Sequence, residues 1–525
     1  MLSKTTPTDQ TALVVDDYAR QRHLLVAVAG AGVLVAVLLQ LIATRRGVGL
    51  QEDSAAYIGA ARGLLHGKGL TLPFGESLAT PLTRYPPFYP LLLAGHAITP
   101  LDVFGYARWL NTGLLAATLI LVALICRTMS RSAAMPLAFA SLIVVGSTRF
   151  ITVYAMAMSE PVMIVAGLAS LYLLMKYLAD ARPQLLFASA TLASLAALTR
   201  YIGVAYGVAG AILLARSRTQ TRHRRATLVV AYLVGSLGPL AAFVLYNVVV
   251  THDTANRSLG FHPSGLRNLS RMLDTLGSWL VGTESSAQGI AGLVLCVTLV
   301  AAVAALIRRG GAHRATAVVL VVWLVVYLVL VELATAIVDA TTAGDYPRIL
   351  TPALPVVAVL LASALHQLMS MRSRLGRLRL ALPIACVVAL APIVPEAVRW
   401  GRSARINGVA VTRPAWASSR VLRTARETPR GEVIYSNDAA MVYLLTGRHV
   451  FDVPSDRDVS SLRRNSEFDA QLARMRRRLA RRGGIVVYFD NAFTPTRRQL
   501  TDALRLREVV HERSGTVLRA ARQHP

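Results

Sequence analysis

The chain has 525 residues, of which 54% are hydrophobic and only 16% charged, and its mean hydropathy is +0.49. A soluble protein carries about 25% charged residues, so this composition argues against a soluble enzyme and for a multi-spanning α-helical membrane protein. The formal charge of +28 gives no case for nucleic-acid binding, because the basic residues are divided between short loops and one C-terminal segment. Cys126, Cys296 and Cys386 sit far apart inside apolar runs, which leaves neither a disulfide framework nor a zinc spacing.

A spanning helix needs about 20 mostly apolar residues at 1.5 Å each. The stretches 24–44, 104–126, 132–148, 160–179, 184–200, 201–216, 226–250, 288–307, 315–338, 349–371 and 379–397 qualify or nearly do. They predict about eleven spans. The first run is long and lacks an A-x-A cleavage site, so it reads as a signal anchor behind a short cytoplasmic N-terminus, 1–23. With the N-terminus inside, the short inner loops carry Arg127, Lys176, Arg182, Arg216, Arg222, Arg224, Arg225, Arg308, Arg309, Arg314 and the arginines of 371–379. The short outer connections near 149, 200 and 339–348 carry one Arg each. That is a positive-inside bias. It predicts a multi-pass protein of the inner or plasma membrane, with the loops 45–103 and 251–287 and everything after 398 outside the cytoplasm.

The composition changes near residue 398. The stretch 398–525 holds nearly half of the chain's 56 Lys and Arg and has no apolar run able to span. "EVIYSN" (432–437), "HVFDV" (449–453), "GIVVYFD" (484–490) and "REVVHE" (507–512) read as strands. Segments 414–427, 438–446, 466–482 and 495–506 read as helices between them. The alternation predicts a small, parallel, Rossmann-like α/β domain, without a G-x-G-x-x-G or P-loop to hold a nucleotide. Its "RMRRRLARR" (474–482) reads as a solvated helix face; contact with anionic lipid headgroups or acidic envelope polymer is the alternative.

Ionisable groups near spans are costly and tend to be functional. Here they gather at the outer helix ends: Glu52 and Asp53, Lys68, Arg84, Arg108, Arg149, Glu160, Arg200 and Asp345-Tyr346-Pro347-Arg348. Glu332 alone falls clearly within a span. A transporter keeps its coupling groups near the midplane, and this chain keeps them at one face. If 53–66 is helical, Asp53, Tyr57, Ala60 and Leu64 share one face, and Ile58, Ala61 and Leu65 form a neighbouring stripe suited to the membrane interface. Two readings stay open for the acids, an N-cap of an interfacial helix or reacting groups. "TRYPPFYPLLLAG" (83–95) then starts a helix too short to span before Pro100, with aromatic residues suited to headgroup depth. Arg84 reads equally as a snorkelling anchor or a phosphate ligand.

The ordered set "ED…Y…A..L..G.G", "YPPFYPLLLAG", Arg108-Trp109-Leu110-Asn111, "MSEPVMI" (158–164), "LTRYIG" (198–203) and "DYPRILTPALP" (345–355) resembles the GT-C superfamily of membrane glycosyltransferases. It is most similar to the bacterial group related to protein O-mannosyltransferases and lipid A aminoarabinose transferases. The resemblance implies a catalytic transmembrane domain over 24–397 with 45–103 as its external loop. It implies an inverting transfer of sugar from a polyprenyl-phosphate donor to an envelope lipid, polysaccharide or protein at the outer face. Asp53 corresponds to the family's acidic residue in the first external loop, the expected base or orienter, and Glu52 to an adjacent member with capping as its other role. Glu160 corresponds to the acid opening the fourth helix. Arg348 corresponds to a donor-phosphate position, with Arg200, Lys68 and Arg84 as further cations and Tyr57, Tyr85, Tyr201 and Tyr346 as lining. No cofactor is certain, although some relatives use a divalent metal ion, and no metal-ligand spacing is present. His66 and His96 match nothing in the pattern. The alternatives are a flippase of lipid-linked sugars and a non-catalytic envelope scaffold.

Overall fold

A computed structural model describes residues 7–75, 77, 79–130, 133–217, 220–251, 261, 265–283, 285–337, 345–370, 390–457, 464–490 and 495–520. The chain opens with α1 (Pro7–Ala43) and α2 (Glu52–Leu65), then β1 (Thr71–Leu72), β2 (Phe74–Gly75), β3 (Thr80–Pro81) and α3 (Phe88–Ala94). The bundle continues through α4 (Val103–Met129), α5 (Ala134–Gly146), α6 (Thr148–Tyr154), α7 (Glu160–Asp180), α8 (Pro183–Thr199), α9 (Val204–Ala215) and α10 (Arg222–Tyr246). It closes with α11 (Leu266–Val281), α12 (Gln288–Arg309), α13 (Gly311–Ile337), α14 (Tyr346–Ile349), α15 (Ala353–Ser370) and α16 (Ile393–Asn407).

Among the described residues seven helices are long and apolar enough to cross a membrane: α1 from Arg20, α4, α7, α10 with its extension to Thr251, α12, α13 and α15. Helices α5 and α6 meet at 71° and together make an eighth. The bend falls at Ser147, whose extended backbone (φ −73°, ψ 106°) stops α5 and whose hydroxyl caps α6 by accepting from Phe150 N–H. The expected stretches 184–200 and 201–216 are both helical but short, because the chain leaves the helix at Arg200 (φ −148°, ψ 138°). The break keeps the guanidinium at a helix end instead of carrying it into apolar surroundings. Most of the stretch 379–397 lies outside the described residues. Among the described residues seven helices, or eight if the bent pair is one span, pass by length and composition, with α8 and α9 as shorter apolar helices.

Packing in the bundle is close. Tyr206, Trp323 and Tyr327 stack through its centre with ring centroids 5.0 and 5.1 Å apart. At Gly167 a Cβ would lie 1.9 Å from Tyr206 Cζ, so α7 passes α9 at a distance that only glycine permits. The basic residues near the end of α7, the start of α8 and the end of α12 lie away from Glu160 and Arg200 along those helices. Helix α7 begins at Glu160 and ends just before Arg182, α8 runs back from Arg182 to Arg200, and α12 ends at Arg308 and Arg309. The acids and arginines singled out above therefore occupy the opposite end of the bundle. Arg108 works there as a cap: Nε donates to Thr44 Oγ1 (2.9 Å) and Nη2 to Leu41 O (3.2 Å), which satisfies the C-terminal end of α1.

The C-terminal stretch adds β4 (Val433–Ser436), β5 (Val450–Asp452), β6 (Gly484–Tyr488), β7 (Leu506–Glu512) and β8 (Gly515–Ala520), with α17 (Arg420–Glu427), α18 (Ala439–Thr446), α19 (Phe468–Arg482) and α20 (Arg497–Leu504). The sheet order is β2-β5-β4-β6-β8-β7. The first four strands are parallel, as the alternation predicts, but β8 runs antiparallel to both β6 and β7. The sheet is therefore mixed. The difference comes from the tight turn at Arg513-Ser514, which returns the chain as a hairpin where the expected pattern ended. Side chains alternate between faces along each strand. Ile434, Ile485, Val487 and Val517 pack toward α17 and α18, while Val433, Tyr435, Val486, Tyr488 and Leu518 pack under α19 and α20.

One strand of this sheet comes from the first external loop. Phe74 and Gly75 pair in parallel with Val450 and Phe451. Leu50 bridges Ala410 and Val411, and Arg62 Nη1 donates to Tyr443 OH at 3.2 Å. The loop 45–103 and the stretch after 398 thus form a single packed body above the bundle. This changes the reading of α2: Ile58 and Ala61 are fully buried among α18 side chains such as Tyr443 and Leu444, not laid on a membrane interface. Helix α3 keeps an apolar outer side, with Leu91 and the following Ile98 exposed.

Candidate active site

Helix α2 starts at Glu52, behind an extended Gln51 (φ −134°, ψ 178°) whose N–H donates to Ser54 Oγ at 3.0 Å. Gln51 is therefore the N-cap, and the expected capping role of Glu52 is not observed. Both acids stand in the first turn, where unpaired amide N–H groups and the helix dipole favour negative charge. One turn further on, Tyr57 is fully buried and its hydroxyl hydrogen-bonds Ser159 Oγ at 2.9 Å. Tyr85 and Tyr89 pack edge-on against the Tyr57 ring, each with centroids 5.0 Å away.

Asp53 stands at the centre of a charged cluster drawn from four distant parts of the chain. Its Oδ1 accepts from Tyr85 OH at 2.6 Å, and its Oδ2 accepts from Arg348 Nη1 at 2.6 Å. Arg200 Nη1 lies 4.0 Å from the same Oδ2 and 2.9 Å from Glu160 Oε1. Arg348 extends its Nε to within 3.4 Å of Glu160 Oε1 and donates from Nη2 to Asp345 Oδ2 at 3.0 Å. Arg200 Nη1 also donates to Ser159 Oγ at 3.2 Å, which ties Tyr57 into the network. Glu160 is 1% exposed, whereas Asp53, Arg200 and Arg348 keep 14–18% of their side-chain surface open. The buried Oε2 of Glu160 accepts no hydrogen bond among the described residues.

Burial pushes the Asp53 carboxyl up, but the cations Arg348 and Arg200 and the Tyr85 hydroxyl more than offset it and hold the group below its ordinary value. Enclosure raises Glu52 instead; Arg84 opposes the rise, and the neighbouring Asp53 and Asp438 add to it. Two adjacent carboxyls therefore have opposite tendencies. Asp53 is an anion at neutral pH, and Tyr85, raised by burial, is a protonated donor to it. Replacing Tyr85 by Phe removes a hydrogen bond that favours the charged form. Asp53 then titrates at higher pH, so the acid limb of an activity profile is expected to move upward, with a loss at neutral pH of less than about tenfold. A pH–rate profile of the Phe variant checks this, and an unmoved limb would contradict the pairing.

The other expected residues are placed as follows. Arg84 lies near Glu52 and Tyr85. Tyr201 OH donates to Thr83 O at 2.8 Å and so fixes the segment that carries Arg84 and Tyr85. Tyr346 is fully buried, and its hydroxyl donates to Glu332 Oε1 at 2.7 Å. It therefore satisfies the acid expected to stand inside the ninth span instead of lining the cluster. Lys68 is exposed in the Gly67–Gly69 turn beyond the far end of α2, about 20 Å along the helix from Asp53. It does not join the cluster. Arg149 leaves it too, and is drawn instead toward Glu396, whose Oε1 accepts from Thr148 Oγ1 (3.0 Å) and from Thr283 N–H (2.9 Å) and Oγ1 (2.8 Å). Ser159 and Tyr89 were missed as members, and Asp345, placed at an outer helix end, was not named as a partner of Arg348. Ser159 directly precedes Glu160 and Asp345 lies three residues before Arg348, so local spacing was the available signal.

Among the described residues no three His, Cys, Asp or Glu side chains gather as a metal site, and Asp53, Glu160 and Asp345 are paired with Arg200 or Arg348.

No protein-family model and no curated protein matches the sequence. Solved structures do match. ArnT from Cupriavidus metallidurans, solved with undecaprenyl phosphate, is 14% identical at a TM-score of 0.57, covering 94% of this chain and 99% of that one. The archaeal oligosaccharyltransferase AglB from Archaeoglobus fulgidus, in complex with an inhibitory peptide and a dolichol-phosphate, is 11% identical at 0.57, over 89% of this chain and 69% of that one. The arabinofuranosyltransferase AftD from Mycobacteria is 16% identical at 0.57, over 94% of this chain and 40% of that one. This chain has the GT-C fold. The GT-C fold, like any fold, does not fix a reaction, and the cluster around Asp53 has to carry that argument.

Proposed function

We propose that the chain is an inverting membrane glycosyltransferase that moves a sugar from a polyprenyl-phosphate donor to an envelope acceptor at the extracytoplasmic face. The observation that carries this is Asp53, an anionic carboxylate held 2.6 Å from both Arg348 and Tyr85, with Arg200 bridging it to Glu160. The GT-C fold supports the lipid-linked donor by likeness, since ArnT and AglB were solved with polyprenyl-type phosphates. The arginine-rich helix ends lie opposite the cluster, which supports an outer placement of the site and an inner N-terminus. A flippase reading has less support, because Glu332, an acid well inside α13, is hydrogen-bonded by Tyr346.

The chemistry follows from the charges. Donor phosphate shares Arg348 and Arg200 with the carboxylates they now pair. As Arg348 turns to the phosphate, Asp53 loses part of its cationic partner and becomes a better base while the donor is in place. Asp53 takes the proton of the acceptor hydroxyl, that oxygen forms a bond to the anomeric carbon, and the bond from that carbon to the phosphate oxygen breaks. Polyprenyl phosphate leaves with its new charge on the arginines. A single displacement inverts the anomeric centre.

The test is turnover of purified protein in lipid with synthetic polyprenyl-phosphate hexoses and pentoses and an envelope-fraction acceptor. Release of polyprenyl phosphate with transfer of label at inverted configuration is expected. Movement of donor across the bilayer with no sugar transfer would overturn the proposal in favour of a flippase.

A further inference from the structure

A cavity of about 430 Å³ opens between α19 and the carboxyl ends of β4 and β5, on the sheet face turned away from α18 and α2. Arg457, Arg474 and Arg478 line it together with the side-chain amides of Asn437, Asn465 and Gln471. Among the described residues Asp452 is the one carboxylate in its wall. The position follows a general rule of open α/β sheets, in which ligands bind beyond the carboxyl ends of the strands where strand order reverses. Here the chain runs β4, β5, β6 while the sheet runs β5-β4-β6, so the reversal falls beside β4.

Most arginines of 474–482 are exposed, as a solvated helix face would have them, and Arg478 departs from that pattern. Arg478 lies with Cζ 4.1 Å over the Phe451 ring, and its Nη1 donates to Tyr435 OH at 3.2 Å, which fixes its guanidinium as part of the cavity floor. Arg474 has its carboxylate partner, the exposed Glu467, 3.6 Å away, a contact that water screens. Asn465 Nδ2 donates to Gln471 Oε1 at 2.9 Å and to Ser455 O at 2.8 Å, so the amides are held as a set. Guanidinium groups suit a carboxylate or phosphate, and amides and hydroxyls suit sugar hydroxyls. The volume lies within the range of small-ligand sites.

We infer that this cavity binds an acidic saccharide unit, with Arg457 and Arg474 meeting its anion. Assigning that unit to the acceptor rests on the glycosyltransferase reading above. Asn437 lines the cavity, and the next residue, Asp438, acts electrostatically on Glu52 beside Asp53. The cavity wall and the surroundings of Glu52 thus meet at consecutive residues at the end of β4.

The experiment titrates the full-length protein in detergent with trigalacturonate, its methyl ester, inorganic phosphate and phosphatidylglycerol vesicles. Trigalacturonate is expected to bind more tightly than its ester and than inorganic phosphate. Binding should weaken about tenfold or more in R457Q/R474Q, the loss of two charge-assisted contacts, and stay unchanged in D53N. Equal binding by R457Q/R474Q, equal binding of the ester or phosphate, or vesicle binding without trigalacturonate binding would each overturn the inference. A chain that binds trigalacturonate in this way but transfers no sugar refutes the transferase reading alone; turnover without arginine-dependent binding refutes the cavity alone.

Discussion

Asp53→Asn is expected to lower turnover by about 10²–10⁴-fold, the contribution of a positioned base, while donor binding is kept or tightened. Asparagine has the same shape and keeps an oxygen for Tyr85, so the local packing of α2 is conserved. It loses the charge that holds Arg348 at 2.6 Å, and it cannot take a proton. Arg348 is then freer to meet donor phosphate, so affinity is expected to hold or rise as rate falls. Single-turnover rates and donor titrations on the same preparation separate the two effects. Turnover near that of the parent protein would remove Asp53 from the chemistry, and a parallel loss of donor binding would make it a structural anion.

Arg348→Lys is expected to cost about 10²–10³-fold in turnover, although the charge is retained. One guanidinium reaches three carboxylates, Asp53 through Nη1 (2.6 Å), Glu160 through Nε (3.4 Å) and Asp345 through Nη2 (3.0 Å). An ammonium is a single compact charge on a flexible stem and cannot hold that planar geometry. The buried Glu160 keeps Arg200 at 2.9 Å, so the variant is expected to fold. Donor affinity should weaken alongside the rate, because the same cation meets the phosphate in both ground and transition states. Unchanged kcat/KM would show that phosphate charge is met elsewhere.

Helical spacing placed Asp53 and Tyr57 on one face of a 14-residue helix but left capping open as a role, and only the ordered motifs pointed to Asp53. The arginines were legible as cations but not as partners. Arg348 and Asp53 are 295 positions apart, and no local periodicity reports a contact of that separation. Lys68 misled because a Gly-Lys-Gly reads both as a phosphate loop and as a helix stop; the positive φ of Gly67 and Gly69 makes it the latter. The stripe Ile58, Ala61 and Leu65 was assigned to the membrane interface; Ile58 and Ala61 are instead covered by residues about 380 positions away, while Leu65 is exposed. Strand β2 has only two residues, too few for any alternation to show. At Arg200 the apolar stretch 184–216 is divided by an extended backbone into two helices shorter than the other spans.

Strand β2 also dictates an order of assembly. The helix that carries Asp53 emerges early in synthesis, yet the side chains that bury its outer side, Tyr443 and Leu444 among them, and the strand that pairs with Phe74 and Gly75 are among the last to be made. Contacts so remote in sequence close late, after the entropy of a very long loop has been overcome. A ribosome that stalls anywhere before β5 leaves α2 without its cover and the charged cluster without a fixed floor. The fixed position of the charged cluster is thus tied to residues made about 350 to 400 positions after α2.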